Sequence, residues 1–233
     1  MGRHFEVRAA AMAGTAAKKS ALYMRASKEI YMAAKSGLPD PVSNLALRSA
    51  IEKYHKNVTK DVIERAIKKA AGGSAEAYSS GRYEFFGPGK SYIIVDSLTD
   101  NVNRAFVEIR TVLTRHGGHM GAVAFNFTET GVIVFKGTNR DQVEEALILN
   151  DVDVREVSEE DGTIECLVEP TFLGKAKIVL IEMGISEFEV SELTMLPNEK
   201  VTLVGEDVER FQDLIDKLDE LQDVQNYYHN VDL

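Results

Sequence analysis

The first third of the chain repeats apolar residues with the period of a helix. Between residues 16 and 36, apolar side chains recur at spacings of 4, 4 and 3, which places them on one helical face. Residues 42–56 and 59–71 carry the same period and predict two further helices, the second of which ends at Gly72 and Gly73. The pattern therefore predicts a small helical bundle.

Two helix starts are indicated by capping residues. Asp40 followed by Pro41 has the order of an N-cap and a first helical residue, so it predicts that the second helix begins there. Further along the chain, Asp100 or Asn101 is the expected N-cap of the helix that follows the first strand.

Beyond residue 80 the chain alternates predicted strands with predicted helices. Residues 81–89, GRYEFFGPG, combine glycine and proline and predict a turn-rich hinge. The predicted strands are Tyr92–Asp96, Ala122–Phe127, Val132–Phe135, Val152–Val157, Ile164–Val168, Phe188–Leu193, Lys200–Val204 and Val224–Tyr228. The predicted helices are Val102–Thr114, Asp141–Leu149, Phe172–Glu182 and Val208–Leu221.

This order predicts an α+β protein: an N-terminal basic helical bundle followed by two ferredoxin-like α/β domains, one inserted in the other. Residues 130–197 form a complete βαββαβ unit, with crossovers at the Thr130-Gly131 turn and at Pro197. The flanking βαβ pieces are each too small to bury a sheet face and a helix, so we expect them to combine. The expected domains are a helical domain at 1–80, a discontinuous α/β domain at 81–129 plus 198–233, and the inserted domain at 130–197.

The composition is that of a folded protein without a membrane span or disulfides. Hydrophobic residues make up 44% of the 233 residues, which argues against extensive disorder. No run approaches the roughly 18 apolar residues of a transmembrane helix. The single cysteine, Cys166, excludes an intrachain disulfide and a cysteine-based zinc site. We expect a reducing, cytoplasmic compartment, and we expect that the alanine-rich stretch 9–17 is not a cleaved targeting peptide.

The charges are unevenly distributed, although the net charge is −10. Residues 1–80 contain 14 Lys and Arg against 7 Asp and Glu, whereas residues 141–233 contain 6 against 25. Such asymmetry indicates a polyanionic partner for the N-terminal part. The alternative is that the lysines only solvate the helices.

The loop Arg115–Gly121, RHGGHMG, is open to three interpretations. Its three glycines and its N–H groups, together with Arg115 and two imidazoles, suit a phosphate or a stacked base. The glycines also suit a helix end followed by a turn. His116 and His119 are of a type that binds metals, but no acidic ligand accompanies them, and we expect no metal.

The rest of the chain shows no catalytic constellation. Cys166 alternates with Ile164 and Val168, which predicts a core position on a strand rather than a nucleophile. Asn103 and Arg104 are expected in the first turn of a helix, where they serve either recognition or contact with a neighbouring domain. We therefore expect neither an enzyme nor a cofactor.

Four segments resemble the YebC/PmpR family in order, spacing and residue types. They are Pro39–Gly73 (PDPVSNLALRSAIEKYHKNVTKDVIERAIKKAAGG), Arg82–Gly89 (RYEFFGPG), Leu98–Arg110 (LTDNVNRAFVEIR) and His116–Gly121 (HGGHMG). The resemblance covers about the whole chain and implies a helical domain, two nested α/β domains and no enzymatic activity. Family members are described as probable DNA-binding transcriptional regulators, as ribosomal translation factors that assist synthesis through proline-rich stretches, and in mitochondria as translational activators of cytochrome c oxidase subunit I.

The chain departs from the family pattern at three places. The usual GPGG is GPGK, with Lys90, and the usual Asn-Arg-Thr ends in Ala105. The N-terminus, MGRHFEVRAA, lacks the usual tryptophan and several basic residues, and resembles the shorter-tailed branch that is associated with the ribosome.

These observations favour a non-enzymatic, monomeric RNA-binding factor that acts on the ribosome and contacts rRNA or tRNA phosphates. A DNA-binding transcriptional regulator, with 42–56 and 59–71 as a helix-turn-helix, is the alternative, and a metabolite-sensing α/β protein is a third. Neither a membrane nor a small-molecule substrate is expected as a partner. The expected nucleic-acid-binding residues are Lys18, Lys19, Arg25, Lys28, Arg48, Lys53, Lys56, Lys60, Arg65, Lys68, Lys69, Asn103, Arg104, Arg115, His116, Gly117, Gly118 and His119.

Overall fold

The computed structural model of the protein describes residues 16–73 and 76–232. These residues form a mixed α+β fold and fall into two compact units. The smaller unit is Phe127–Asn198, and the larger unit contains the remaining described residues. Within the described ranges, no helix has both the length and the apolar composition needed to cross a membrane.

Most of the helices and strands lie where the sequence predicts them. The helices are α1 (Ala16–Lys35), α2 (Leu45–Tyr54), α3 (Lys60–Ala71), α4 (Val102–Arg115), α5 (Arg140–Leu149), α6 (Leu173–Glu182) and α7 (Glu206–Glu220). The strands are β1 (Ser79–Phe86), β2 (Tyr92–Thr99), β3 (His119–Met120), β4 (Phe127–Lys136), β5 (Val154–Glu160), β6 (Thr163–Val168), β7 (Val190–Pro197) and β8 (Val224–His229).

The predicted helical bundle is present as α1 to α3. Helix α1 packs against both other helices. Its Ala26 and Ile30 meet Leu47 of α2 and Ile63 and Ala66 of α3 in a common core. The helical period of the sequence therefore identified the three helices and their buried faces.

Helix α2 begins after Asn44, so the predicted start at Asp40 and Pro41 is wrong. The side-chain oxygen of Asn44 accepts the N–H of Leu47 at 3.0 Å, and its amide nitrogen donates to two carbonyls of the preceding segment. Asp40 instead accepts the N–H of Val42 at 3.2 Å in a turn. The buried Asn44 side chain forms hydrogen bonds both with the start of the helix and with the segment before it. The exposed Asp40 does not form both sets of hydrogen bonds.

The larger unit also contains an antiparallel sheet with the strand order β3-β1-β2-β8. Helices α4 and α7 cover it, and Ile109, Leu113, Phe211 and Leu214 pack around Phe85. Strand β1 lies between β2 and β3, the two strands that α4 connects, which is a split β-α-β arrangement.

Residues 81–86 belong to strand β1, so the predicted hinge is wrong. Strand β1 pairs with β2 along its whole length, from Ser79 opposite Thr99 to Phe86 opposite Tyr92. Only the turn after Phe86 contains the proline and two of the glycines. The alternation that buries Phe85 is a strand pattern, and it outweighs the glycine and proline content of the segment.

The smaller unit has the ferredoxin-like βαββαβ order that the sequence predicts. Its sheet is antiparallel throughout, with the order β5-β6-β4-β7, and α5 and α6 pack on it. Cys166 is fully buried beside Ile133 and Phe135 in the core, as expected. Burial, together with nearby carboxylates, raises the pKa of the Cys166 thiol to about 12.

Thr130 and Gly131 lie inside strand β4, so the predicted turn there is wrong. They pair with Thr194 and Leu193 of β7. The smaller unit accordingly begins at Phe127. Gly131 is buried between strands, which is a second common setting for a glycine in a sheet.

Two further strand predictions are wrong. Within 122–127, residues 124–126 form a single 3-10 turn before β4. Within 200–204, only Val201 forms a bridge, and it pairs with Val231 outside the sheets. Short apolar runs of this kind do not distinguish a strand from an extended loop.

Candidate nucleic-acid interface

The basic side chains of α1 bind acidic and carbonyl groups near the end of α7. Lys18 Nζ lies 2.6 Å from Asp216 Oδ1. Arg25 donates to the carbonyl oxygens of Leu218 and Asp219 at 3.1 and 2.8 Å. The last carbonyls of a helix have no partner within that helix. Arg25 therefore caps α7 with a positive charge, which the helix dipole favours.

Lys28 lies at the centre of a buried polar network. Its Nζ is 2.5 Å from Asp223 Oδ1 and also donates to the carbonyls of Leu98 and Gln222. Arg104 donates to the other oxygen of Asp223 at 2.7 Å. Burial alone would raise the pKa of Asp223, but the hydrogen bonds from Lys28 and Arg104 hold that pKa below its ordinary value.

These ion pairs fasten the bundle to the α/β part of the larger unit. We call them the α1–α7 clasp; its members are Lys18, Arg25 and Lys28 of α1 with Asp216, Asp219 and Asp223. Burial raises the pKa of Asp219 despite the nearby Arg25 and Lys18. Part of the basic excess of the N-terminal region is therefore neutralised inside the protein, so the charge asymmetry of the sequence does not by itself require an external polyanion.

Two further predicted contact residues are engaged within the bundle. Lys53 Nζ lies 3.0 Å from a carboxylate oxygen of Glu29. Arg48 donates to the carbonyls of Pro41 and Val42 at 3.0 and 2.7 Å and so fixes the loop before α2.

Five of the predicted basic contact residues are exposed on α3 or just before it. We call them the α3 basic face; its members are Lys56, just before the helix, and Lys60, Arg65, Lys68 and Lys69. At about 100° per residue, the four helical members occupy the half of α3 opposite the buried Ile63 and Ala66.

Most of the α3 basic face is weakly paired or unpaired. The exposed pair of Lys60 with Glu64 measures 3.5 Å, and exposed pairs of this kind contribute little. Among the residues that the structure describes, no carboxylate partners Lys56 or Lys68. Lys69 has the closest contact, 2.6 Å to a carboxylate oxygen of Glu76.

Lys19 and Asn103 are exposed outside that face. Lys19 lies over the ring of Tyr23, with Nζ 5.8 Å from its centroid. Asn103 stands in the first turn of α4, after Asn101, whose side chain accepts the N–H of Arg104 as an N-cap. The expected N-cap is therefore confirmed. Of the two predicted residues Asn103 and Arg104, Arg104 forms contacts within the larger unit.

The glycine loop, Arg115–Gly121, ends α4 and leads into β3. Arg115 and Gly117 are exposed, whereas Gly118 is buried. The N–H of Gly118 donates to the carbonyl of Leu113 at 2.8 Å. A Cβ at this position would lie 2.9 Å from that oxygen, so the close approach requires glycine. The helix-end role of the glycines is thus present, and contact with a polyanion stays a prediction.

The two histidines of the glycine loop have separate environments. His116 Nδ1 lies 2.7 Å from the carbonyl of Val112, and its Nε2 lies 2.8 Å from Asp213 Oδ2. His119 is exposed and stacks on Phe86. Throughout the described ranges, no group of three His, Cys, Asp or Glu side chains is arranged to hold a metal ion.

The structure adds residues to the loop region that sequence reasoning missed. A carboxylate oxygen of Glu84 accepts the N–H groups of Val123 and Ala124 at 2.6 and 2.7 Å, which fixes the segment after the glycine loop. Phe86 supports His119 from β1. The strand-like alternation of residues 82–86 is the sequence feature that indicates the positions of Glu84 and Phe86. The prediction of a hinge in this segment did not use it.

A cleft of about 520 Å³ in the larger unit adjoins the clasp. Besides Lys28, Arg104 and other residues, its lining includes Tyr78 and four carboxylates. Those carboxylates belong to Asp100, Glu108, Glu220 and Asp223. Because negative charges outnumber positive ones, the cleft does not suit a phosphate backbone.

Two family models match nearly all of the chain. Residues 3–73 match the TACO1/YebC protein N-terminal domain, and residues 78–231 match the TACO1/YebC second and third domain. The chain belongs to the TACO1/YebC family. The resemblance seen in the sequence motifs is thereby confirmed.

Relatives of this TACO1/YebC protein align with it over 91% or more of both chains. It is 51% identical to "Probable transcriptional regulatory protein Mfl546" of Mesoplasma florum over 99% of both chains. It is 48% identical to "Probable transcriptional regulatory protein YcdB" of Lactococcus lactis over 91% of both chains. The crystal structure of the conserved hypothetical protein Aq1575 from Aquifex aeolicus has a TM-score of 0.76 and 31% identity, and the match covers 94% of this chain and 93% of that one. These likenesses confirm the fold class.

Proposed function

We propose that this protein is a non-enzymatic, nucleic-acid-binding regulator of gene expression that acts as a monomer on the ribosome in the cytoplasm. The observation that carries the proposal is the α3 basic face, where five exposed cations lie on and beside one helix. In this proposal the helical domain binds rRNA or tRNA phosphates, and the glycine loop of the discontinuous α/β domain enters the RNA. No cofactor, membrane or small-molecule substrate is part of it.

The side chains of α3 favour phosphate contacts over the recognition of base edges. The helix, KDVIERAIKKAA, contains no Asn, Gln, Ser or Thr, the residues that read base edges by hydrogen bonds alongside arginine. Asp61 and Glu64 occupy its first turns, where a recognition helix meets the bases. Lysine-rich faces bind the backbone of any sequence, so the shape of a folded RNA would provide the selectivity.

Because the chain resembles ribosomal members of the family, the specific function in this proposal is to release ribosomes that stall at proline-rich stretches. The test is sedimentation of the tagged full-length protein with ribosomes on a sucrose gradient at low and physiological salt, with and without nuclease. We expect the protein to migrate with intact ribosomes at physiological salt. In reconstituted translation, we expect it to increase the yield of a reporter with a proline run relative to a matched reporter without one.

Matched variants test whether the α3 basic face is responsible. The double variant Lys56→Glu/Lys68→Glu reverses two cations that have no carboxylate partner within the described ranges. Lys200→Glu reverses an exposed lysine far from α3 in the sequence and serves as the control. We expect only the double variant to leave the ribosome fraction. Unchanged sedimentation of the double variant would contradict the proposed interface.

The second candidate is a DNA-binding transcriptional regulator. The names of the relatives favour it, and α2 and α3 are joined by the short segment 55–59 in a loosely helix-turn-helix order. A protein that stays at the top of the gradient, yet shifts a duplex DNA fragment at physiological salt in the presence of competitor RNA, would overturn the ribosomal proposal and support this one.

A further inference from the structure

A pair of stacked rings lies at one end of the sheet in the larger unit. Strand pairing places His119 of β3 opposite Phe86 of β1. Their ring centroids are 5.1 Å apart and the ring planes differ by 20°. The Tyr92 ring lies edge-on to the Phe86 ring, with 5.6 Å between the two ring centroids. Phe86 is half-buried and thus held in place, whereas His119 is exposed.

The backbone around the ring pair is closely fitted and hydrogen-bonded. A Cβ on Gly121 would lie 2.3 Å from Cε2 of Phe86, so the chain passes the ring at a distance that only glycine permits. The N–H of Gly121 donates to the carbonyl of Glu84 at 3.2 Å, and the Glu84 carboxylate accepts the N–H groups of Val123 and Ala124. A binding surface that is already ordered loses little conformational entropy when a ligand binds to it.

Two unpaired cations and an apolar side chain lie close in sequence to the two rings. Lys90 stands in the turn after Phe86, and Arg115 ends α4 before the glycine loop; both are exposed. Across the described ranges, neither has a carboxylate partner. Met120, next to His119, is half exposed. Exposed π faces near cations are the features with which proteins bind unstacked nucleotides.

We propose that His119, supported by Phe86, is a stacking platform for one unpaired base of the bound nucleic acid, with Lys90 and Arg115 near its phosphates. The inference rests on the proposed RNA-binding function and deepens it, because it names the ligand as a single-stranded or looped nucleotide rather than a duplex. The α3 basic face supplies affinity for any backbone, and the platform distinguishes unpaired from paired bases. Stacking tolerates any base, so the platform selects structure rather than sequence.

The experiment uses the full-length protein and two RNAs of equal length. One is a stem-loop with a single 2-aminopurine in its loop, and the other is a duplex with the same label in a base pair. The variants are His119→Ala, which removes the ring, and His119→Phe, which keeps a π face but loses the imidazole nitrogens. The far-UV circular dichroism of both variants is compared with that of the parent protein to verify folding.

We expect the parent protein to change the 2-aminopurine fluorescence of the stem-loop and to bind it more tightly than the duplex. His119→Ala should lose the fluorescence change and bind the stem-loop about fivefold or more weakly, with the duplex affinity unchanged. His119→Phe should retain the parent behaviour. If His119→Ala matches the parent on both RNAs, or if His119→Phe behaves like His119→Ala, the platform is refuted while RNA binding stands. If the parent binds neither RNA, the proposed function fails, and the platform fails with it.

Discussion

Replacing Lys28 by methionine tests whether the α1–α7 clasp stabilises the larger unit. Methionine keeps most of the apolar stem of the side chain and removes the ammonium group. The carbonyls of Leu98 and Gln222 and one oxygen of Asp223 then lose their donor. Breaking a buried ion pair by removing one partner costs about 3–5 kcal/mol. Because Arg104 still binds the other oxygen of Asp223, we expect the low end of that range, about 3 kcal/mol.

Urea unfolding followed by far-UV circular dichroism measures this loss, since the chain contains no tryptophan for fluorescence. Lys68→Met is the control, because Lys68 is exposed on α3, and it should change the free energy of unfolding by less than about 0.5 kcal/mol. The double variant Lys28→Met/Asp223→Asn should lose less than the sum of the two single variants, since the two groups form one network. A loss below about 1 kcal/mol for Lys28→Met would refute the clasp as a stabilising contact.

Three further predictions concern the pH dependence and packing of other residues. Because the pKa of Asp223 is lowered in the folded protein, its ion pairs stabilise the fold above about pH 4, and this stabilisation is lost as the pH falls through the folded pKa. The destabilisation by Asp223→Asn in urea unfolding should therefore shrink as the pH is lowered below 4, and a destabilisation that stays constant throughout the acid titration would contradict this. Gly121→Ala places a methyl group 2.3 Å from the Phe86 ring and should lower the thermal midpoint, with a cost of about 1–3 kcal/mol, whereas Gly174→Ala, with no atom within 4 Å, should not. The buried Cys166 thiol, with its pKa raised to about 12, should react with a maleimide only after unfolding, and rapid modification of the native protein would disprove its burial.

The sequence predicts those parts of the fold in which the period of the apolar residues is long and regular. The three helices of the bundle and the βαββαβ order of the smaller unit follow from such periods. Strand β1 escaped prediction because its glycine, and the glycines and proline that follow it, resemble a loop, although Phe85 is fully buried. Gly131 does not distinguish a turn from a strand, because glycine occurs both in turns and where neighbouring side chains crowd a sheet.

The sequence does not show which basic residues are already paired with groups inside the protein. Lys28 and Asp223 are separated by 195 positions, and no local pattern connects them. Lysine and aspartate are also common on solvent-exposed surfaces, so the sequence does not indicate that these two side chains are buried. The charge asymmetry predicts a polyanion partner for the whole N-terminal part of the chain. Among the residues that the structure describes, the α3 basic face and a few isolated cations remain available for such a partner.

This distinction has a measurable consequence for the salt dependence of binding. For single-stranded nucleic acid, the logarithm of the affinity falls with the logarithm of the salt concentration by about 0.7 per phosphate contact. If the five members of the α3 basic face, Lys90 and Arg115 each bind a phosphate, the slope is about −5. If all eleven basic side chains expected in the bundle did so together with Lys90 and Arg115, it would be about −9. The steeper slope would require phosphates to displace Asp216, Asp219 and Asp223 from the clasp, and the bundle would then separate from α7 on binding. A slope near −5 means that the bundle binds nucleic acid with the clasp closed.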